Sequence, residues 1–494
     1  MSDQNKHADS ANPLNVAIVG GGIAGASIAL YLSELGVNVS LLEKGPSLVN
    51  GPPICHLHAG GNLYREISEQ QCLTLLAQSI DLLRTYPFAA DCRPTVLAVP
   101  THDNGTTSDL LPRLHKLQSE YQRLIDQDPA NKVLGESRDY FRLFEREELE
   151  LLALQEPVKN PQTLAQWMIP VARYVDLDKL KFPLIMVQEY GLNVFRLGAS
   201  CTLSLQKNQH CQLLTNTTVT NISAGQTEQS WLIDYQQGGE NKQAEFDYLI
   251  NAAGFRSGLI DDMLGFKRDR LVEFKAAYVA HWSASDCLWP EVVFYGERGT
   301  PNGMAQFTPY PGGYFQLHGM TKEITLFEQG LVASNEQSAQ PKLAETFINK
   351  IDFQWHEEEM AERTQRAINH LTPYIPGFQS AQIGAKPLFG AQQIPGGEAS
   401  LRAATVSFVG ARYARCETVK ASSVLTSADE IVEHMIAQNL LAAEVKTGRY
   451  FPVRQDICEQ AIIQLAEKLA RERNYPLSLA HINSAKYTAK HNAA

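Results

Sequence analysis

The sequence predicts an α/β fold: a parallel-sheet domain assembled from separated segments, with an inserted α+β domain carrying an antiparallel sheet. Three features predict it. Near the N-terminus a short apolar strand runs through glycines into a helix and a second strand. A further strand with a buried composition returns only at Phe246–Gly254. Between Leu271 and Gly319 apolar and polar residues alternate with period two, as paired antiparallel strands do.

Composition sets the outer limits. The chain has 494 residues, 44% hydrophobic and 20% charged, enough for two or three domains or one large intertwined fold. With 43 Lys+Arg against 54 Asp+Glu the net charge is −11. That argues against a general nucleic-acid binder, because neutralising phosphates needs a basic face. No stretch reaches the roughly 18 consecutive apolar residues of a spanning helix. The polar tail 1–13 lacks the apolar centre of a secretion signal. The eight cysteines (Cys55, Cys72, Cys92, Cys201, Cys211, Cys287, Cys416 and Cys458) include no C-x-x-C pair, so neither a metal site nor a dense disulfide framework is expected. A reduced, cytoplasmic setting is the expectation.

The first element, Asn15–Val19, is a β-branched run suited to a buried parallel strand. It leads into Gly20-Gly21-Gly22-Ile23-Ala24-Gly25, an Ala- and Leu-rich helix to Leu35, a stop at Gly36, and a second strand Asn38–Leu42 ending at Glu43. This is G-x-G-x-x-G in its strand–turn–helix setting. Gly20 permits the tight turn, Gly22 lets backbone approach a pyrophosphate, and Gly25 lets helix and strand pack closely. The free N–H groups of the helix end face the phosphates, and Glu43 is placed to accept from a ribose diol. The pattern is that of a Rossmann-type dinucleotide site.

Beyond Gly45 the chain leaves the repeating βαβ pattern of a nicotinamide dehydrogenase for the loop Gly51–Asn62 and a helix Ser68–Arg84. The late return at Phe246–Gly254 points to a dinucleotide domain built from separated pieces. At these residues the chain resembles the D-amino-acid oxidase/glycine oxidase-like superfamily of FAD-dependent oxidoreductases. Gly20–Glu43 matches the superfamily's FAD fingerprint. Ile250-Asn-Ala-Ala-Gly-Phe-Arg-Ser257 is similar to its N-A-A-G-x-x-S segment, and Tyr174–Leu180 to its x-V-D-P-x-x-L helix start, with Leu177 in place of proline. Ile383–Pro387 stands where G-x-R-P is common, and Ser407–Tyr413 with Thr418 where a last Gly-rich flavin segment lies. The resemblance runs from about Asn15 to Met435.

The resemblance implies bound FAD, contacted by Gly20, Gly22, Ile23, Ala24, Gly25, Glu43, Lys44, Ala253, Gly254 and Gly410. It implies an oxidoreductase that takes hydride from a small amino acid or other amine, with oxygen or a quinone as electron acceptor. The departures bear on substrate. Lys386 replaces the arginine that grips a carboxylate, a point charge for a bidentate fork. Arg412, Arg415, Cys416 and Glu417 replace small residues. A cationic group among Lys386, Arg412 and Arg415 is expected to hold the substrate.

The loop Pro52–Tyr64 carries His56, His58 and Asn62, which either contact the flavin or act on a substrate proton, or are plain loop residues. A covalent flavin link through His56, His58 or Cys55 is also chemically open. His58-Ala-Gly-Gly-Asn-Leu-Tyr64 faintly resembles malate:quinone oxidoreductases, so a quinone-linked 2-hydroxyacid dehydrogenase stands as the alternative. A non-catalytic flavin-binding protein stands as a further one.

The remaining elements follow by pattern. Gln212–Asn221, Trp231–Tyr235 and Ala244–Asn251 read as a small meander. Leu271–His281, Glu291–Tyr295, Met304–Tyr310 and Tyr314–Gly319 read as a sheet over the flavin, with Tyr310, Tyr314, Gln316 and His318 as candidate pocket residues. Leu110–Asp126, Arg146–Leu154, Lys342–Leu371 and Asp456–Arg473 read as helices, the last with an apolar stripe for core packing or dimer contact, a peripheral membrane surface being the alternative that its mixed charge disfavours. The expected division is a disordered tail 1–13, an FAD domain 14–85, 171–269 and 387–435, a substrate domain 86–170 and 270–386, and a C-terminal helical extension 436–494.

Overall fold

The computed structural model describes residues 14–54, 57, 67–227, 229–284, 287–353, 355–445 and 456–483. Its first sheet has six strands, in the order Val406–Val409, Tyr413–Cys416, Tyr248–Asn251, Asn15–Val19, Asn38–Leu42, Cys211–Leu214. All neighbours run parallel except the edge pair Val406–Val409 and Tyr413–Cys416. Helix Ile23–Glu34 packs on one face with Val424–Ala437, burying Ala26, Ile28, Ala29 and Leu30 completely. On the other face Ala17, Val19 and Leu42 pack against Ile222 and Ile233, giving the two-sided burial that continuous apolar strands require.

The second sheet has nine strands. Leu331–Ala333, Arg270–His281, Tyr314–Gly319, Ala305–Tyr310, Glu291–Phe294, Thr95–Pro100, Leu180–Val187 and Phe141–Phe144 lie side by side, and Gln382–Pro395 pairs with Arg270–His281. Its outer face is aromatic, with Phe274, Tyr278, Phe294, Phe307 and Phe315 packed beneath Leu164–Tyr174 and Glu357–Leu371. Its inner face, toward the parallel sheet, carries buried polar groups: Gln306, Thr308, Gln316 and His318. Buried polar side chains lining one face of a cleft mark a site, because burial without a purpose costs stability.

Several expectations change. Gln212–Asn221 is two strands: Cys211–Leu214 joins the parallel sheet, and Thr217–Ala224 joins Trp231–Gln237 and Glu240–Phe246 in the meander. Asn216, at φ 50°, makes the break, a left-handed position asparagine tolerates. Lys342–Leu371 divides into Glu345–Asp352 and Glu357–Leu371. Tyr174–Leu180 is no helix start: the helix Leu164–Tyr174 ends there, Asp176 accepts from Asp178 N at 3.1 Å, and a single turn leads into a strand. That strand, Leu180–Val187, lies in the nine-stranded sheet, so the boundary at 171 falls too early. The boundary at 387 cuts through Gln382–Pro395. The C-terminal helix Glu459–Glu472 packs inside the chain, against Val194–Lys207. Among the described residues no helix is long and apolar enough to cross a membrane.

Candidate active site

The glycine turn lies at the C-terminal end of the first strand, where open α/β sheets bind ligands. Its three motif glycines do different work. Gly20 has φ 105°, and a Cβ there would lie 2.5 Å from Ala252 O. A Cβ on Gly25 would lie 1.9 Å from Gly20 O, so this glycine closes helix onto turn. Gly22 has open space around the position of its absent Cβ. It is also the N-cap of Ile23–Glu34, with no capping side chain and no acidic residue in the first turn. Uncapped N–H groups beside open space suit a diphosphate.

Glu43 reaches back over this turn. Its Oε2 accepts from Gly21 N and its Oε1 from Gly45 N, both at 2.6 Å. A carboxylate offers about four lone-pair sites, so acceptor capacity remains for ribose hydroxyls. Lys44, beside it, is 3.6 Å from Asp352. Ala252 and Ala253 pass directly beside Gly20, and Gly254 turns at φ 59° with open space around it. The residues present therefore fit an FAD diphosphate and ribose.

Gly410 does not join this group. It turns the hairpin between Val406–Val409 and Tyr413–Cys416, at the start of the latter strand and so at the sheet edge opposite the glycine turn. Arg412 is at the same edge, donating to Asp247 O at 3.2 Å and Gln229 Oε1 at 3.1 Å. Parallel pairing places the end of this strand, Cys416 onward, at the cofactor side. Arg415 is buried and consumed by Asp261, at 2.7 Å from Nη2 and 2.9 Å from Nε. Neither arginine can grip a substrate from these positions.

Tyr310, Gln316 and His318 come together on the inner sheet face. Thr308 opposes Gln316 and Gln306 opposes His318 in register. Tyr310 Oη donates to Pro53 O at 2.9 Å and lies 3.3 Å from Gln316 Oε1. Pro52 abuts Gly390, where a Cβ would meet Pro52 Cδ at 3.0 Å. The loop after the second strand thus threads between the two sheets. Tyr314 lies nearer the rim, its ring 4.7 Å from that of His281. Cys55, His56, His58 and Asn62 lie outside the described residues.

Two lysines complete the face, and the sequence reading missed both. Lys275 shares the inner side of Arg270–His281 with Ala277 and Val279. It is 2.6 Å from Glu273 and 3.3 Å from Gln392 Oε1. Gln392 in turn donates to Val419 O at 2.7 Å, docking the segment that carries Lys420. Burial pushes Lys275 down to about 8 and Lys420, further lowered by Arg402, to about 7. Burial and the fields of Lys275 and Lys420 push His318 down to about 3, so it stays a neutral base. The only available signal was a lysine at an inward position of an apolar strand. Lys386 has its ammonium 4.6 Å from the ring centre of Tyr475, a residue that shares an apolar cluster with Tyr310 and Leu388.

Residues 15–180 match the family model described as FAD dependent oxidoreductase. No curated protein matches by sequence. Among solved structures, glycine oxidase from Geobacillus kaustophilus aligns with TM-score 0.53 at 12% identity, covering 89% of this chain and 100% of the other. L-amino acid deaminase from Proteus vulgaris aligns with TM-score 0.53 at 13% identity, covering 89% and 98%. L-α-glycerophosphate oxidase from Mycoplasma pneumoniae, with FAD bound, aligns with TM-score 0.51 at 17% identity, covering 87% and 95%. At these identities the likeness is one of fold.

Proposed function

We propose that this chain, whose residues 15–180 match the FAD dependent oxidoreductase family model and whose fold is shared with glycine oxidase, oxidises a small amine carrying a carboxylate. The observation that carries this reading is the cleft face of buried Gln306, Thr308, Gln316 and His318 with the cation Lys275 on the adjoining strand, and Lys420 close enough for its field to act on His318. A buried ammonium beside a carboxylate attracts it far more strongly than it would in water. Bound FAD supplies the hydride acceptor.

In this reading Lys420, supported by Lys275, holds the carboxylate and fixes the substrate in one orientation. The substrate reacts as its free amine, and neutral His318 accepts a hydrogen bond from the amine N–H, orienting the lone pair that drives hydride from the adjacent carbon. Tyr310 and Gln316 present dipoles beside it, and the packed sheet excludes water. The glycine oxidase and L-amino acid deaminase neighbours show that this fold accommodates such substrates, as the glycerophosphate oxidase neighbour shows that it accommodates others. Oxygen and a quinone are equally compatible electron acceptors.

Anaerobic mixing with pooled amino acids is expected to bleach the flavin absorption, and mixing with pooled 2-hydroxyacids to leave it. Bleaching by the hydroxyacid pool alone would transfer the assignment to the 2-hydroxyacid dehydrogenase. Persistent bands with every pool would leave the non-catalytic reading.

A pH profile tests the lysines. An ordinary lysine stays charged to about pH 10, whereas Lys420 loses its proton as pH rises through about 7 and Lys275 through about 8. The grip is present below these values and lost above them. We expect kcat/KM to fall between about pH 7 and 8.5, mostly through KM, and Lys420→Arg to move the fall upward. A profile flat to about pH 9 in the native enzyme would remove both lysines from substrate binding.

A further inference from the structure

The segment Asp456–Asn483 lies past the stretch that carries the family resemblance, and it is hydrogen-bonded to both domains. Asn193, at the start of Val194–Lys207, donates to Leu479 O at 3.0 Å and His481 O at 2.8 Å. On the other side Asn483 Nδ2 donates to Pro309 O at 3.0 Å, and Tyr475 Oη to Pro387 O at 2.9 Å. Ile462, Leu469 and Leu479 share one apolar cluster with Tyr310 and Leu388 of the inner sheet face.

Arg473 makes the contact closest to the cofactor loop. Its Nη1 donates to Val49 O at 3.2 Å, and its Nη2 to Asn50 O at 3.0 Å and Gly51 O at 2.6 Å. A planar guanidinium can collect several carbonyls in fixed geometry, which a lysine ammonium cannot. Val49 itself has φ 55°, a β-branched residue in the left-handed region. Such conformations persist only where the surroundings over-determine them, and they gather at functional sites. Here the restraint is visible on both sides: Val49 N donates to Gly21 O at 2.8 Å, in the glycine turn, and Val49 O accepts from Arg473. The chain then continues to Pro52 against Gly390 and to Pro53, which receives Tyr310.

We infer that Arg473 is a positioning residue for the FAD site: the C-terminal segment clamps Val49–Gly51 in its left-handed turn and so holds both the glycine turn and the Pro52–Ile54 segment in place. The inference rests on FAD as cofactor and is independent of the substrate.

The test measures release of FAD from the holoenzyme on dilution, by flavin fluorescence, together with visible circular dichroism of the bound flavin. Arg473→Gln is expected to release FAD about tenfold faster, the loss of a set of charge-assisted hydrogen bonds, and to alter the dichroism. Arg473→Lys is expected to lie between. Val49→Gly in the Gln background is expected to recover part of the loss, because glycine enters the left-handed region unaided. Native release and dichroism in Arg473→Gln would overturn the inference. A loss that Val49→Gly leaves unrecovered would do so too, since Arg473 would then be merely packing. Should Arg473→Gln fail to fold, Arg473→Lys is compared with and without the added change Val49→Gly, and equal losses in both overturn it. Neither readout uses a substrate, so failure of the amine reading leaves this test intact.

Discussion

Gly22→Val is expected to purify colourless and to gain no flavin bands when FAD is added, while keeping its fold. The position of the absent Cβ has open space around it, so the first carbon of a valine there meets no protein atom within 4 Å. The side chain fills the place where a diphosphate must approach the backbone and the uncapped end of Ile23–Glu34. An affinity loss of about a thousandfold or more, roughly 4 kcal/mol, is the expected size. The contrast is Gly25→Ala, whose Cβ would stand 1.9 Å from Gly20 O, so that it damages folding itself. Absorption at the flavin bands separates the two from native protein, and thermal melting separates them from each other. A yellow, fully loaded Gly22→Val would take the FAD diphosphate away from this turn.

Asp261→Asn is expected to be among the most destabilising single changes in the chain. Asp261 is fully buried and accepts from Arg415, from Arg270 and from Tyr413 Oη, the last at 2.6 Å. Tyr413 Oη is also 2.8 Å from Asn251 Nδ2, on the strand that ends beside Gly20. Arg270 and Arg415 are each 2% exposed, so removing the one carboxylate leaves two buried guanidiniums with only Glu417, already paired with Arg268, as a counter-charge. Breaking a buried pair in this way costs about 3–5 kcal/mol. A melting temperature lower by about 5–10 °C is expected, with FAD affinity falling as the Asn251–Gly254 segment loosens. Tyr413→Phe, which removes two hydrogen bonds and no charge, should cost about 1–3 kcal/mol. An Asp261→Asn protein that melts within about 1 °C of native would show that the arginines find other partners.

Some of the site was readable because its chemistry is local. Gly20, Gly22, Gly25 and Glu43 belong to one turn and two short strands; Gly20 and Gly25 are required by atoms close by in the turn or the adjoining strand, and Gly22 by the space it leaves open. Tyr310, Gln316 and His318 were readable because period-two alternation assigns residues to sheet faces before any partner is known. The inner face could be listed, although its neighbour could not be named.

Resemblance to a glycine-rich segment placed Gly410 on the cofactor and Arg412 at the substrate, yet a hairpin reverses the chain there. Pairing direction, which no single strand encodes, put them at the far edge of the sheet. Lys386 was chosen for its alignment with an arginine, but Tyr475 covers it from a distant segment of the chain. Lys275 and Lys420 carry no motif that marks them in the sequence. Only the docking of Gln392 onto Val419 brings them to one cleft.

The sequence by itself determined the dinucleotide turn, the split parallel domain and the antiparallel sheet, because glycine conformation and hydrophobic period act over a few residues. Tertiary structure alone decided which cations face the cleft, which arginines are spent on Asp261, and how Arg473 reaches the loop at Val49. Those outcomes depend on contacts between segments far apart in the chain. The energy of a charge is set by what surrounds it after folding, and no local pattern specifies that.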